Sequence, residues 1–175
     1  MKNISRFVLS FLSCIAASTF SLAASQSVKV ALQNAEGEKV GEATLTEVKG
    51  GVKVDVQATK LAPGKHGIHF HANGVCEGPD FKSAGDHFNP KQKKHGLKNK
   101  PHGPHAGDLP NLEVAKDGSA HASMMSKAVS LGKGENSLLK QGGTALMIHA
   151  GPDDQKTDPS GKSGDRIACG VILAQ

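Results

Sequence analysis

Two aromatic residue types are missing from this 175-residue chain, which has no Trp, no Tyr and only six Phe. Trp and Tyr often anchor protein interfaces, so the composition gives no sign of an aromatic docking surface. It leaves open whether the protein is a monomer or a homodimer. Glycine, in contrast, is abundant at 21 residues. This composition favours a loop-rich domain without a large aromatic core.

Long apolar runs are scarce, and the clearest one lies at the N-terminus. Lys2 and Arg6 introduce an apolar run over residues 7 to about 20, and Ser-Leu-Ala at 21–23 offers a small-x-small cleavage site. This layout is typical of a secretory signal peptide, and the run is short for a membrane span. An uncleaved membrane anchor is the alternative. We predict a signal peptide over residues 1–24 and one domain over residues 25–175.

The predicted mature chain has no strong excess of one charge sign. The full chain has a net charge of +5, and loss of Lys2 and Arg6 leaves 19 of its 21 basic residues against 16 acidic ones. The basic residues are scattered among Asp and Glu, so neither a nucleic-acid-binding stripe nor a membrane-binding helix is indicated. We expect no nucleic-acid partner and no stable membrane association once the signal peptide is removed.

Cysteine is also rare, with three residues in the chain. Cys14 falls in the predicted signal peptide, which leaves Cys76 and Cys169. Exported proteins form disulfides in oxidising compartments, so this pair is interpreted as one disulfide that closes a long loop. Two free, buried thiols are the alternative.

Apolar and polar residues alternate in the first third of the mature chain, which predicts β-strands with one buried face. The alternating apolar residues are Val28, Val30, Leu32, Val52, Val54 and Val56. Residues 34–37 and 50–51 are predicted turns. Further short strands are predicted over residues 67–71, 111–114, 120–125, 145–149 and 167–173. No segment shows a sustained helical stripe, so the sequence predicts an all-β antiparallel sandwich or barrel.

Two segments interrupt the strand pattern, residues 74 to about 110 and residues 150 to about 164. Both are rich in Gly, Pro, Asp and Lys, and the first also contains several histidines. Long structureless segments in a compact domain are usually functional or disordered. Disorder would not explain why histidines concentrate there, so we expect functional loops.

The histidines suggest a metal site. His69 and His71 are two apart in a predicted strand, so both imidazoles can project from one face. The first long loop adds further candidate ligands, and another histidine ends a later strand; they are His87, His95, His105, Asp108 and His149. Imidazole suits copper and zinc, and imidazoles joined by one carboxylate are a common zinc set. The spacing by itself predicts two neighbouring metal ions.

Ordered motifs along the chain resemble those of copper–zinc superoxide dismutases, and the bacterial branch of that family in particular. The matching segments are Gly-Ile-His-Phe-His at 67–71, Ser-Ala-Gly-Asp-His-Phe-Asn-Pro at 83–90, His-Gly at 95–96, His-Ala-Gly-Asp-Leu at 105–109, Met-Ile-His-Ala-Gly at 147–151 and Gly-Asp-Arg-Ile-Ala-Cys-Gly-Val-Ile at 164–172. The resemblance covers nearly the whole mature chain. It implies an eight-stranded antiparallel Greek-key β-barrel or sandwich with two long functional loops.

The resemblance also assigns roles to individual residues. It implies copper ligands at His69, His71, His87 and His149. It implies zinc ligands at His87, His95, His105 and Asp108, so that His87 bridges both ions. Asp153 resembles the carboxylate that joins a copper-ligand histidine to a zinc-ligand histidine, with Asp154 as a rival for that role. Arg166 matches the active-site arginine, and Cys76 with Cys169 matches the family's disulfide pair.

The implied activity is superoxide dismutation, in which copper cycles by one electron while superoxide becomes oxygen and hydrogen peroxide. Copper and zinc would be the cofactors, His87 and Arg166 the catalytic residues, and superoxide the small-molecule partner. Together with the signal peptide, the resemblance to the bacterial branch predicts a periplasmic enzyme. The alternative is an exported copper- and zinc-binding β-barrel module without significant turnover.

Overall fold

The computed structural model describes residues 25–174, which form nine β-strands and one short 3-10 helix. The strands are β1 (Ser27–Gln33), β2 (Lys39–Val48), β3 (Gly51–Ala58), β4 (Gly64–His66), β5 (Ile68–His71), β6 (Leu112–Val114), β7 (Ala120–Ser126), β8 (Thr144–His149) and β9 (Arg166–Ile172). The short helix is Lys82–Ala84. No α-helix occurs among residues 25–174, which confirms the all-β prediction. The predicted signal peptide, residues 1–24, lies outside the described residues.

Within the described residues, no helix has the length and apolar character needed to cross a membrane.

The strands form one curled antiparallel sheet, ordered β5-β8-β9-β1-β2-β3-β7, and a small β4-β6 pair. Only Gly67 separates β4 from β5, so these two segments act as one interrupted strand. Counted in this way, the fold has the eight strands expected. A tight turn over residues 115–119 connects β6 to β7, and these two strands pack side by side. The interrupted strand thus links both ends of the sheet, and the barrel curls around its core.

The predicted alternation holds in β1 and β3. Val28, Val30 and Leu32 on β1 are at most 4% exposed, and Val52 and Val54 on β3 are fully buried. Their neighbours in sequence face solvent or are half-buried. Each strand therefore contributes one apolar face to the core and one polar face to the surface.

A β-bulge interrupts the pattern between β1 and β2. Leu32 pairs with Gly41, whereas the next residue, Gln33, pairs with Lys39, so Val40 is the extra residue. Val40 is nevertheless buried, as is Ala43 three positions later. A bulge shifts side chains from one face to the other, which explains why strict alternation fails along β2.

Three long connections leave the barrel. Residues 72–111 and 150–165 correspond to the two predicted loops. A third, over residues 127–143, was not predicted. It closes one side of the barrel by burying Val129, Leu131 and Leu138 in the main core.

The first long loop is fastened along β5. The Phe70 amide donates to the Gly107 carbonyl (2.9 Å), and the Phe88 amide donates to the Phe70 carbonyl (2.8 Å). The Gly107 amide donates in turn to Phe88 (2.8 Å). Any side chain at Gly107 would collide with the Phe70 carbonyl oxygen, so only glycine permits this approach. The loop is therefore held against the strand that carries His69 and His71.

Candidate metal centre

Strand β5 brings its two histidines to the loop. Both side chains are buried, at 0% exposure for His69 and 1% for His71. Isolated β-bridges pair His69 with Asp108 and His71 with His87, so each strand histidine meets one loop residue. The short spacing across such bridges is what places residues distant in sequence within reach of one ion.

Four histidines converge at the barrel wall, and we call them the four-histidine group: His69, His71, His87 and His149. One ring nitrogen from each lies within 4.8 Å of the others. Two of these rings are oriented by the backbone, because Nδ1 of His71 donates to the Gly85 carbonyl (2.8 Å) and Nδ1 of His149 to the Gly164 carbonyl (3.1 Å). These bonds fix the tautomer and turn each Nε2, with its free lone pair, towards the group.

A second convergence, the aspartate group, consists of His87, His95, His105 and Asp108. Oδ1 of Asp108 lies 3.1 Å from Nδ1 of His87, 3.0 Å from Nδ1 of His95 and 3.5 Å from Nδ1 of His105. A tetrahedral zinc ion with ligands at about 2.0 Å would separate neighbouring ligand atoms by about 3.3 Å. Oδ2 of Asp108 accepts from the amides of Gly96 (2.7 Å) and His105 (2.9 Å), which aims Oδ1 at the rings.

His87 belongs to both groups through different atoms. Its Nδ1 faces Asp108, whereas its Nε2 is buried on the side of the four-histidine group. A single imidazole can present one nitrogen to each of two ions only if neither nitrogen carries a proton. The arrangement is therefore suited to a bridging imidazolate.

Unsatisfied buried nitrogens test whether metal ions fit these groups. Among the described residues, six buried side-chain nitrogen or oxygen atoms lack a hydrogen-bond partner, and all six are imidazole nitrogens. They are Nδ1 of His69, His95 and His105 and Nε2 of His71, His87 and His149. Each of the six residues belongs to one of the two groups. Buried polar atoms without partners are rare and destabilising, and one cation bound in each group would satisfy all six. The donor chemistry suits copper and zinc.

The buried carboxylate of Asp153 is hydrogen-bonded to one histidine of each group. Nε2 of His69 donates to Oδ2 of Asp153 (2.7 Å), and Nε2 of His95 donates to Oδ1 (2.9 Å). The Asn111 side chain holds Asp153 in place, since it bonds both the amide and the carbonyl of that residue at 2.9 Å. The rival residue, Asp154, is exposed and bonds Thr157 instead.

Burial controls the protonation of the ring nitrogens. It lowers the pKa of His71 to about 2 and the pKa of His87 and of His149 to about 4. Burial also opposes the charged form of His95, but the neighbouring carboxylates of Asp108 and Asp153 outweigh it and raise the pKa of His95 to about 9. The rings of the four-histidine group therefore stay neutral near pH 7, as metal binding requires.

Arg166 borders a cavity of about 470 Å³ that reaches His71, His87 and His149. Its Nη1 donates to the Phe81 carbonyl and its Nη2 to the Gly85 carbonyl, both at 2.7 Å. Because both anchors are backbone atoms, the guanidinium has a fixed position. Its remaining N–H groups leave a positive site for a small anion.

Cys76 and Cys169 form a disulfide across a sequence separation of 93 residues, which confirms the predicted bond. It joins the first long loop to β9 and lies in a small apolar cluster with Phe81 and Ala84. The cross-link thus holds the segment whose carbonyls anchor Arg166.

Sequence reasoning missed several supporting residues. Asn111 was treated as the start of a strand, and nothing in its surroundings signals a bond to a residue 42 positions away. The anchoring groups of Phe81 and Gly85 are backbone carbonyls, which every residue has. Gln155 is buried, and its backbone amide donates to the Asp153 carboxylate while its side-chain amide donates to the Leu109 carbonyl.

Comparisons with known proteins agree on one family. The "Copper/zinc superoxide dismutase (SODC)" family matches residues 39–172. "Superoxide dismutase [Cu-Zn] 1" of Aquifex aeolicus is 47% identical over 161 residues, which cover 91% of this chain and 95% of that protein.

Solved structures are similar as well. The crystal structure of a superoxide dismutase-like protein from Bacillus subtilis has a TM-score of 0.80 and 44% identity, over 83% of this chain and 97% of that one. The Cu/Zn superoxide dismutase from Brucella abortus has a TM-score of 0.69 and 32% identity, over 84% and 99%. These matches confirm the resemblance on which the sequence predictions relied. The chain belongs to the copper/zinc superoxide dismutase family.

Proposed function

We propose that this protein converts two superoxide ions and two protons into oxygen and hydrogen peroxide. The observation that carries the proposal is the meeting of two buried ligand groups at His87, beside a cavity that contains a fixed arginine. Family membership supports the same activity. We assign copper to the four-histidine group and zinc to the aspartate group.

Copper supplies the one-electron chemistry when bound, and zinc has no redox role. The protein holds four imidazole nitrogens close together in its buried interior. The cavity beside Arg166 gives access to three of these rings. Asp153 keeps the rings of His69 and His95 oriented through their far nitrogens. Such outer bonds raise the basicity of ligand nitrogens and limit their rotation.

Arg166 binds and orients the substrate. Superoxide is a small anion, and the guanidinium offers directed N–H donors at a fixed place in the cavity wall. A preorganised positive group in a partly desolvated site stabilises negative charge without the reorganisation that water would need.

Proton supply falls to His87. Its Nε2 lies on the side of the four-histidine group, which the cavity reaches, and its side chain is 4% exposed. An imidazole nitrogen at this place can take up a proton and release it to reduced substrate, which needs protons to leave as hydrogen peroxide. Nδ1 keeps the ring aligned because it faces Asp108 (3.1 Å).

We also propose a periplasmic location for the enzyme, after removal of residues 1–24. The support is the layout of the N-terminus, with Lys2 and Arg6 before a short apolar run, and the disulfide between Cys76 and Cys169. Disulfides persist in oxidising compartments such as the periplasm.

The rival function is metal storage without turnover on the same barrel, since a fold alone does not fix an activity. Arg166 at the cavity favours the enzyme, because a storage site has no need for a fixed anion-binding group beside the ligands. The decisive test compares superoxide decay with the zinc-only protein and with the protein loaded with copper and zinc. Accelerated decay with both metals supports the enzyme. Equal decay would leave only the storage function.

A further inference from the structure

The cavity beside Arg166 is lined by one acidic residue, Asp86. Among the described residues that line this cavity, Arg166 is the one Arg or Lys, and Asp86 is the one Asp or Glu. A negative side chain here repels the anionic substrate. It therefore opposes the arginine that attracts the substrate.

Asp86 does not hold Arg166 in place. The guanidinium is anchored by the carbonyls of Phe81 and Gly85, and neither bond involves the Asp86 carboxylate, which is exposed. A structural explanation through Arg166 is thus unsupported by the contacts. What Asp86 contributes to the cavity is charge.

The backbone keeps this charge at the cavity. The Gly85 carbonyl accepts from both Arg166 and His71, and the Asp86 carbonyl accepts from the Ala72 amide (2.8 Å). His87, the next residue, is fixed by both ligand groups. The backbone position of Asp86 is therefore fixed at the cavity wall.

The charge of Asp86 differs in its surroundings from that of a second acidic residue near Arg166, Asp80. Asp80 shares an outer cleft with Arg166, but its carboxylate lies 2.6 Å from the Lys82 ammonium, which largely cancels its charge at a distance. Asp86 lines the inner cavity, where no lysine is present.

We propose that Asp86 is a specificity-determining residue that biases the cavity towards singly charged anions over doubly charged ones. The electrostatic potential of one carboxylate acts on each charge of an entering anion, so the penalty doubles for a dianion. The repulsion between the Asp86 carboxylate and the anion acts over several ångströms and is weakened by water and salt. Removal of Asp86 should therefore strengthen monoanion binding about twofold and dianion binding about fourfold. The identity of the natural monoanion, superoxide, rests on the proposed function.

The test uses Asp86→Asn, which removes the charge and keeps the shape. Nitrate and sulfate serve as monoanion and dianion probes of the zinc-loaded, copper-free protein at constant ionic strength, and the Arg166 guanidinium signals are followed by NMR. We expect the dissociation constant to fall about twofold for nitrate and about fourfold for sulfate. Asp117→Asn, in the turn between β6 and β7, makes the same change in net charge and should leave both constants unchanged.

Three results would overturn the proposal. Equal gains for both anions would indicate altered hydrogen bonding or shape instead of charge. Unchanged binding would show that the Asp86 potential does not reach the anion. Weaker binding would show that Asp86 supports Arg166.

Turnover gives a separate readout with both metals bound. The rate constant for superoxide should rise about twofold in Asp86→Asn, while inhibition by sulfate strengthens about fourfold. If the wild-type protein shows no turnover, the proposed function fails, yet the nitrate and sulfate titrations still decide the role of Asp86.

Discussion

Replacement of Asp153 by Asn should weaken zinc binding and disturb copper binding. The carboxylate accepts hydrogen bonds from His69 (2.7 Å), from His95 (2.9 Å) and from the Gln155 amide. An Asn side chain retains one oxygen and presents an NH₂ group in place of the other. That group would face an imidazole N–H, so one ring loses its partner and is pushed from its position.

The size of the effect follows from the type of bond lost. Removal of such an outer partner lowers metal affinity by about 10- to 100-fold, or about 1.4 to 2.8 kcal/mol. Zinc should be affected more than copper, since His69 is held within strand β5 whereas His95 lies in a loop. Competition with a chelator for each metal measures both constants.

Asp154→Asn provides the matched control. It makes the same chemical change one residue away, at an exposed carboxylate that bonds the Thr157 side chain (2.6 Å) and does not contact either ligand group. We expect metal affinities in this variant within about twofold of wild type. If Asp153→Asn also retained wild-type zinc affinity, the claim that Asp153 orients the ligands would be refuted.

Three further predictions concern stability, pH and substrate attraction. Cys169→Ser should lower the free energy of unfolding by about 4 to 5 kcal/mol, because the disulfide closes a loop with a sequence separation of 93 residues. Urea titration measures this loss, and a loss below about 1 kcal/mol would contradict the prediction. In the metal-free protein, burial lowers the pKa of His87 and of His149 from 6.5 to about 4, so stability is complete above pH 6.5 and falls as the pH drops towards 4. For His95, burial opposes the charged form, but the neighbouring carboxylates of Asp108 and Asp153 outweigh it and raise the pKa from 6.5 to about 9, so its contribution is complete below pH 6.5 and is lost as the pH rises towards 9. Urea midpoints should therefore peak near pH 6.5, and a midpoint that rises steadily on acidification would be inconsistent with neutral buried rings. Arg166→Ala should slow turnover about tenfold or more and weaken its dependence on salt while both metals stay bound; loss of metal in this variant would point to a structural role.

The strand pattern was predictable where the physics is local. Alternating valines in β1 and β3 identify one buried face each, because side chains in a strand point to opposite faces. Strand β2 could not be delimited in the same way, since the bulge at Val40 shifts its buried positions. The third loop was missed because its buried leucines have no periodic spacing.

The site was predictable in part. His69 and His71 share a strand face by geometry, whereas the grouping of the loop residues depended on resemblance to a family. The groups that hold these site residues in position reach them only through tertiary contacts. The carbonyls that anchor Arg166 lie 85 and 81 residues away along the chain, and no local pattern encodes such a pairing. Asp86 was noted only as part of a motif, because its effect depends on which side chains share its cavity.

The central claim is that two metal ions share His87. Anomalous diffraction from crystals of the copper- and zinc-loaded protein, recorded at the absorption edges of both metals, tests it most directly. The account predicts a copper peak among the rings of His69, His71, His87 and His149, and a zinc peak beside Asp108, with the His87 ring between them and in contact with both. A single peak, or two peaks of which only one contacts His87, would contradict it.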